Sequence, residues 1–485
     1  MVFSSSLFLV YFLPVFMIVY FLLAPKFKNW FILFAGILFY AWGAPVFVFY
    51  VAGSVLVDFF LTRKIESATG RIRKLLFWIS VLMNLGLLMY FKYMNFFVDQ
   101  FSIILGWFGA RPVEWIRIAL PVGISFITFQ KLSYVLEVYK KRHLPFSRLQ
   151  DYALYIFMFP QLLSGPIVRV GQISGQITNR EDQENTDNRL LGFYRFVIGL
   201  AKKVLIADVI GATVSDIFAL NSLQLSSGMA WIGAIGYTFQ IYFDFSGYTD
   251  MAIGLARMMG FKLPENFNFP YVSTSITDFW KRWHMTLSSW FRDYVFLPIA
   301  YATSRKMKKD RYVGMRTDVI LYIWAAAITF VLCGFWHGAA WTFILWGAYQ
   351  GAFLILDRLF FLKASRKIGR VASIIITFFV IVIGWVIFRS QDLDFAHFYL
   401  RRMFSFQSAP NDLLITSKFW TILAVAGVFS FFGVWKKVEK WVDRIYNQPG
   451  NVLLIVFSVI AIILLVLSLA AITSSGFSPF IYFRF

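Results

Sequence analysis

Leu332-Cys333-Gly334-Phe335-Trp336-His337-Gly338-Ala339-Ala340-Trp341 joins two long apolar runs, Val319 to Phe335 and Trp341 to Leu359. A run of ~20 apolar residues is what a helix needs to cross a bilayer. A histidine between two such runs is an ionisable group at membrane depth. Its burial there is costly, so it usually faces a cavity or pathway and marks a site. Histidine also titrates in the range that suits proton transfer near neutral pH. Only three others occur: His143, His284 and His397.

The pattern around this stretch recurs along the whole chain. Of the 485 residues, 59% are hydrophobic and 15% charged, and the mean hydropathy is +0.68. That balance excludes an ordinary soluble domain. It reads as an all-α polytopic integral membrane protein, since a spanning backbone must satisfy its own hydrogen bonds. Roughly a dozen apolar segments are candidate spans. The clearest are Leu7–Leu23, Leu75–Phe91, Val319–Phe335, Val371–Phe388, Phe419–Val434 and Val452–Leu469. Ile118–Phe129 and Tyr152–Leu163 are short or broken by Gly and Pro, and read as re-entrant or partial spans. Met-Val-Phe-Ser-Ser at the start leads into an apolar run without a basic n-region, which reads as a retained first span.

The net charge of +21 does not indicate nucleic acid. Lys and Arg concentrate in short connectors: 63–74, 140–148, 305–316, 363–370 and 436–444. That is the signature of cytoplasmic loops and of contact with anionic lipid. An attraction for an anionic cytosolic donor is the sharper alternative. The single cysteine, Cys333, excludes an intramolecular disulfide and a multi-cysteine metal site. It lies one helical turn before His337, so a Cys–His pair is conceivable, but a small buried apolar cysteine is the simpler reading. Thr178 to Arg189 is polar and reads as a surface loop. The last residues, Ser475 to Phe485, read as an interfacial aromatic tail. The expected organisation is one membrane domain, 1–485, with its chemistry in residues 228–345.

Three clusters in that block bring polar groups into apolar surroundings. In Gln240-Ile241-Tyr242-Phe243-Asp244-Phe245-Ser246-Gly247-Tyr248-Thr249-Asp250, Gln240 and Asp244 share a helical face. Gly247 is expected to bend or break the helix and turn Ser246 and Asp250 to the same interior. Asp244 calls for a Lys or Arg partner from a neighbouring segment. A structural polar network and a substrate-lining role both fit. In the second cluster, Phe279 to Tyr294, helical spacing stacks Lys281, His284, Ser288 and Arg292 on one face. Such an amphipathic helix suits an interfacial anchor, or the floor of a polar cavity that holds an anion. The third is Trp336-His337-Gly338. Gly334 and Gly338 remove bulk there, so a backbone or a substrate could approach. No nucleophile elbow, P-loop, zinc-protease or dinucleotide motif occurs.

Taken together, these motifs resemble the membrane-bound O-acyltransferase family, and within it the bacterial alginate O-acetyltransferase branch. The matching stretches are Met1–Ser5, Tyr242–Ala252, Asn266-Phe267-Asn268-Phe269-Pro270-Tyr271, Phe279-Trp280-Lys281-Arg282-Trp283-His284 and Trp336-His337-Gly338. The two histidine motifs, 53 positions apart, are specific as a pair. The resemblance implies a helical bundle around a central tunnel, and acyl transfer from a thioester to a hydroxyl. His337 would be the catalytic base and His284 a second required residue. Gln240, Asp244, Ser246, Asp250, Lys281, Ser288, Arg292 and Trp336 are the candidate tunnel residues. The resemblance further implies acetyl-CoA as donor without a bound cofactor or metal, an extracytoplasmic acetyl-transfer partner protein, a polysaccharide acceptor and a bacterial inner-membrane location. D-alanyl transfer to teichoic acid, peptidoglycan O-acetylation and, outside enzymes, a polysaccharide exporter are the alternatives.

Overall fold

The computed structural model describes residues 1–312, 314–409, 415–447, 450–475 and 478–481. Helices dominate. Among these residues the only strands are the short antiparallel pair Arg311–Tyr312 and Met315–Arg316. Six helical stretches among the described residues are long and apolar enough to cross a membrane: Gly70–Trp107, Thr317–His337, Trp341–Ser365, Arg370–Arg389, Ser417–Val434 and Val452–Ser474. Leu7–Leu22 is a shorter apolar helix. The broken segments expected near 118–129 and 152–163 are indeed interrupted. Ile124–Tyr139 starts at Gly123 (φ +80°), and Leu149–Phe157 gives way to the single turn Phe159–Leu162.

The chain divides into two compact units. The first comprises Met1–Phe196 and Tyr248–Pro264. Its polar core is a buried ion pair, Lys131 Nζ to Asp58 at 3.1 Å. Ser80 Oγ donates to the same carboxylate at 2.6 Å and Asn84 Nδ2 at 2.8 Å. Buried charges persist only when paired and hydrogen-bonded in this way, so the network ties Phe47–Ser67, Gly70–Leu88 and Ile124–Tyr139 together. Gly36 lets Pro25–Gly43 cross the Leu149–Phe157 helix closely, because a Cβ there would stand 1.9 Å from the Phe157 carbonyl oxygen. The polar segment after Thr178 is not merely a surface loop. Arg180 is buried, and Glu184 pairs with both Lys28 and Arg180.

The second unit comprises Val197–Gly247 and Glu265–Phe485. Its organising feature is the hairpin of Thr317–His337 and Trp341–Leu356, joined by the three residues Gly338 to Ala340. A Cβ on Gly334 would stand 2.2 Å from the Phe343 carbonyl, and one on Gly347 2.3 Å from that of Phe330. Small residues therefore let the two backbones touch, as membrane helix pairs require. The bulk removed at Gly338 is likewise taken up by protein. Its would-be Cβ lies 2.2 Å from the Phe343 ring.

Candidate active site

His337 is the last residue of Thr317–His337 and is buried. The helix ends at Gly338, whose extended backbone cannot continue it. The imidazole therefore projects from the hairpin turn into a box of rings. Trp336 lies 4.9 Å away, Trp346 5.0 Å and Phe388 5.3 Å, all edge to face. Such a wall fixes the ring plane and excludes water.

His284 reaches the same box by a different local route. The expected continuous helix from Phe279 to Tyr294 does not form. Ile276–Arg282 ends, His284 adopts φ +44° and ψ +53°, and Met285–Phe291 begins anew. Left-handed backbone is costly for a residue with a Cβ, and here it is held by Asn266. The Asn266 carbonyl accepts from Met285 N–H at 2.9 Å. Its side-chain Oδ1 accepts from Thr286 N–H at 3.1 Å and Thr286 Oγ1 at 2.9 Å, and lies 3.1 Å from His284 Nδ1. Because Oδ1 can only accept, the proton of that bond sits on His284 Nδ1, which leaves Nε2 as an acceptor. Complete burial pushes the His284 pKa down to about 3, so the ring is neutral. Phe245 stands edge-on at 4.7 Å, and Trp336 at 6.5 Å. The Trp336 indole is thus a shared neighbour of both imidazoles.

The other expected residues divide sharply. Gln240 lines a cavity of about 260 Å³ beside this box, with Tyr237, Thr342, Phe343, Phe388, Arg389 and Ile481 among the walls. Asp244 is buried and has the cationic partner its depth demanded, Lys203 Nζ at 2.7 Å, itself 2.7 Å from Asp208. The second Asp244 oxygen accepts the Ile481 N–H at 2.9 Å. Lys203 also lies 4.6 Å from the Phe480 ring centre. Phe480 and Ile481 are buried, which corrects the reading of the carboxyl-terminal segment as an interfacial tail. Of that tail, residues 476–477 and 482–485 lie outside the described residues.

Gly247 does not break its helix, which runs unbroken from Ser227 to Met258. It serves close packing, with a would-be Cβ 2.7 Å from the Gly199 carbonyl. Ser246 is buried in the second unit, whereas Asp250 belongs to the first and pairs there with Arg195 at 2.8 Å. Four positions apart on a continuous helix, the two still share a face. The break at His284 also dissolves the expected polar face. Lys281 is exposed, Arg292 is exposed and bonded to Asp293 at 2.7 Å, and Ser288 bonds to the Trp283 carbonyl at 3.2 Å. Cys333 is buried, as the simpler reading required. Among the described residues no group of His, Cys, Asp and Glu could hold a metal ion.

Sequence reasoning missed Asn266, although the Asn-Phe-Asn-Phe-Pro turn was visible. It also passed over Trp346, Thr342, Phe388, Arg389 and Ile481, which carry no local signal beyond an aromatic or polar residue near a helix end.

Comparison with known proteins adds to this geometry. Residues 127–390 match the sequence family described as MBOAT, membrane-bound O-acyltransferase family. The chain is 39% identical over 456 residues to a Pseudomonas aeruginosa protein named "Probable alginate O-acetylase AlgI", covering 93% of this chain and 83% of that one. It is 34% identical to the "Peptidoglycan O-acetyltransferase" of Helicobacter pylori, over 83% of this chain and 80% of the other. A "Teichoic acid D-alanyltransferase" of Bacillus subtilis is 33% identical over 57% of this chain and 70% of its own length.

Proposed function

This chain belongs to the membrane-bound O-acyltransferase family, and from that premise we propose that it moves an acetyl group from a cytosolic thioester, acetyl-CoA, to a hydroxyl on the far side of a bacterial inner membrane. The product is O-acetylation of an extracytoplasmic polysaccharide, alginate or a related exopolysaccharide, completed with an extracytoplasmic partner protein. Similarity to alginate O-acetylases along nearly the whole chain favours this acceptor over teichoic acid, whose D-alanyltransferase matches only 57% of it.

The observation that carries the reading is the pairing of His337 with His284 around Trp336, in a box of rings at the end of a membrane-length helix. In the proposed step, the His337 imidazole takes the proton of the attacking hydroxyl as its oxygen adds to the thioester carbonyl. The C–S bond then breaks and the leaving thiolate takes that proton from the imidazolium. The surrounding rings exclude water, which would otherwise hydrolyse the thioester. With its proton fixed on Nδ1, His284 acts through Nε2 as an acceptor that orients a hydroxyl.

The test is the alkali-labile ester content of the native host's envelope and exopolysaccharide, with the released acid identified by mass. Wild type is compared with His337→Ala at matched protein abundance. Loss of acetate is expected. Loss of D-alanine would move the chain to teichoic-acid chemistry, and unchanged esters would sink the reading.

A further inference from the structure

Lys436–Asn447 is a helix between two membrane-length stretches, Ser417–Val434 and Val452–Ser474. Both neighbours reach the bilayer from its side, so the helix lies at that surface. Its sequence holds Lys436, Lys437, Lys440 and Arg444 against Glu439 and Asp443, and a basic connector marks the cytoplasmic side.

The helix sorts these residues by face. Val438, Val442, Ile445 and Tyr446 are half-buried. Lys440, Trp441 and Arg444, three, four and seven positions after Lys437, share with it the other, exposed face. Trp441 is 55% exposed, and Trp435, just before the helix, 63%. An indole suits a headgroup layer, where its apolar body and its polar N–H both find partners. Cations beside it then meet lipid phosphates, each adding about fivefold to the affinity for an anionic leaflet. Three on one face multiply to about a hundredfold.

Glu439 is turned inward, away from that face, and its Oε1 accepts from Arg282 Nη1 at 2.6 Å. Arg282 is also held by Asp278 at 3.1 Å and donates to the Asn268 carbonyl at 3.3 Å. Asn268 N–H in turn donates to the Arg282 carbonyl at 2.9 Å. Asn268 is two positions from Asn266, whose oxygens hold the left-handed turn at His284. A continuous set of bonds thus runs from the surface helix to that turn, all within the second unit.

We propose that the exposed face of Lys436–Asn447 docks on anionic phospholipid headgroups of the cytoplasmic leaflet, and that this seating keeps Glu439 on Arg282 and so steadies the His284 turn. A lipid surface is favoured over a soluble anion because two exposed indoles accompany the cations and membrane-length helices flank the segment on both sides.

The test is backbone hydrogen exchange on the full-length protein in nanodiscs of pure phosphatidylcholine, or with phosphatidylglycerol added. Exchange reports on this segment alone, whereas the other basic connectors would contribute to any bulk lipid-binding assay. Expected is exchange in 436–447 slower by about tenfold or more with phosphatidylglycerol. The difference should vanish in ~1 M salt, where the screening length is about 3 Å, and in the triple variant Lys437→Gln, Lys440→Gln, Arg444→Gln. Met285 and Thr286 N–H should slow with the same lipid, and Glu439→Gln should remove that response while leaving the one in 436–447. Equal exchange in both lipids, or a lipid response undiminished by salt or in the triple variant, would overturn the docking. Protection of 436–447 by acetyl-CoA in pure phosphatidylcholine, equal to that by phosphatidylglycerol, would assign the face to a soluble anion and overturn it too. A His284 turn indifferent to lipid, or one that still responds in Glu439→Gln, would overturn the coupling. The lipid comparison reads on unaltered protein, so a misfolded variant cannot decide the result. No readout depends on ester formation, so the outcome is independent of the acyltransferase reading.

Discussion

The His337 imidazole stands perpendicular to the Trp346 indole, 5.0 Å between ring centres and 90° between planes. Trp346 is fully buried and stacks on Trp385 at 5.9 Å. The histidine's orientation is therefore held by a rigid aromatic wall on the facing helix of the hairpin. Misplacing a reacting group by about 1 Å can cost ~100-fold in rate. Trp346→Ala should lower acetyl-ester formation by one to two orders of magnitude at matched abundance, and Trp346→Phe by less than tenfold. Equal activity in both would show that the wall does not position His337 for the reaction.

Removing the proposed base itself should cost more. General base catalysis by a positioned side chain contributes ~10²–10⁴-fold. His337→Ala and His337→Gln should both fall by at least ~100-fold, with thioester consumption in isolated membranes as the readout.

Asn266 acts through His284. Asn266→Ala leaves the buried Thr286 N–H and the His284 Nδ1–H without their acceptor, at about 1–3 kcal/mol each. It also frees the imidazole tautomer. Lower thermal stability is expected together with a drop in turnover, and Asn266→Asp, which keeps an acceptor oxygen, should recover part of both. A variant with wild-type stability and turnover would contradict this role.

The neutral state of His284 has a pH signature. Its folded pKa, about 3, lies below the ~6.5 of an unfolded chain. Below pH 6.5 the unfolded state gains a proton that the folded state refuses, so this contribution to stability is complete above pH 6.5 and is lost as pH falls toward 3. Between pH 7 and pH 5 the loss is about 2 kcal/mol. Wild-type protein should lose thermal stability over that interval by more than His284→Asn does. Parallel curves for the two proteins would exclude a neutral, buried His284.

Asp244 anchors the carboxyl-terminal segment through Ile481 N–H while pairing with Lys203. Breaking a buried ion pair costs about 3–5 kcal/mol. Asp244→Ala should destabilise the protein by that order and expose the now buried Phe480 and Ile481 to proteolysis. Asp244→Asn keeps an oxygen for Ile481 N–H and should protect the segment better. Equal protease resistance in Asp244→Ala and wild type would rule out the anchor.

The sequence alone determined that this is a multi-pass helical membrane protein, and it singled out His337 and His284 as candidate site residues. The first follows from a local rule, that a span must be apolar over its length; His337 stands out as an ionisable group between two such runs, and His284 by the resemblance of its motif. It also required a cation for Asp244, though not which one. Only the tertiary structure decided the rest. Spacing drew one polar face through Lys281, His284, Ser288 and Arg292. The chain breaks at His284 instead, because Asn266, 18 residues upstream, captures the next turn's N–H groups. Lys203 lies 41 positions from Asp244, and Ile481 237. Asp250, six positions on, turned to Arg195 in the other unit. Helical periodicity reports that a face is buried, but not what buries it. Partners far apart in sequence are chosen by which backbones can approach, and at Gly36, Gly247 and Gly334 that approach depends on a missing Cβ.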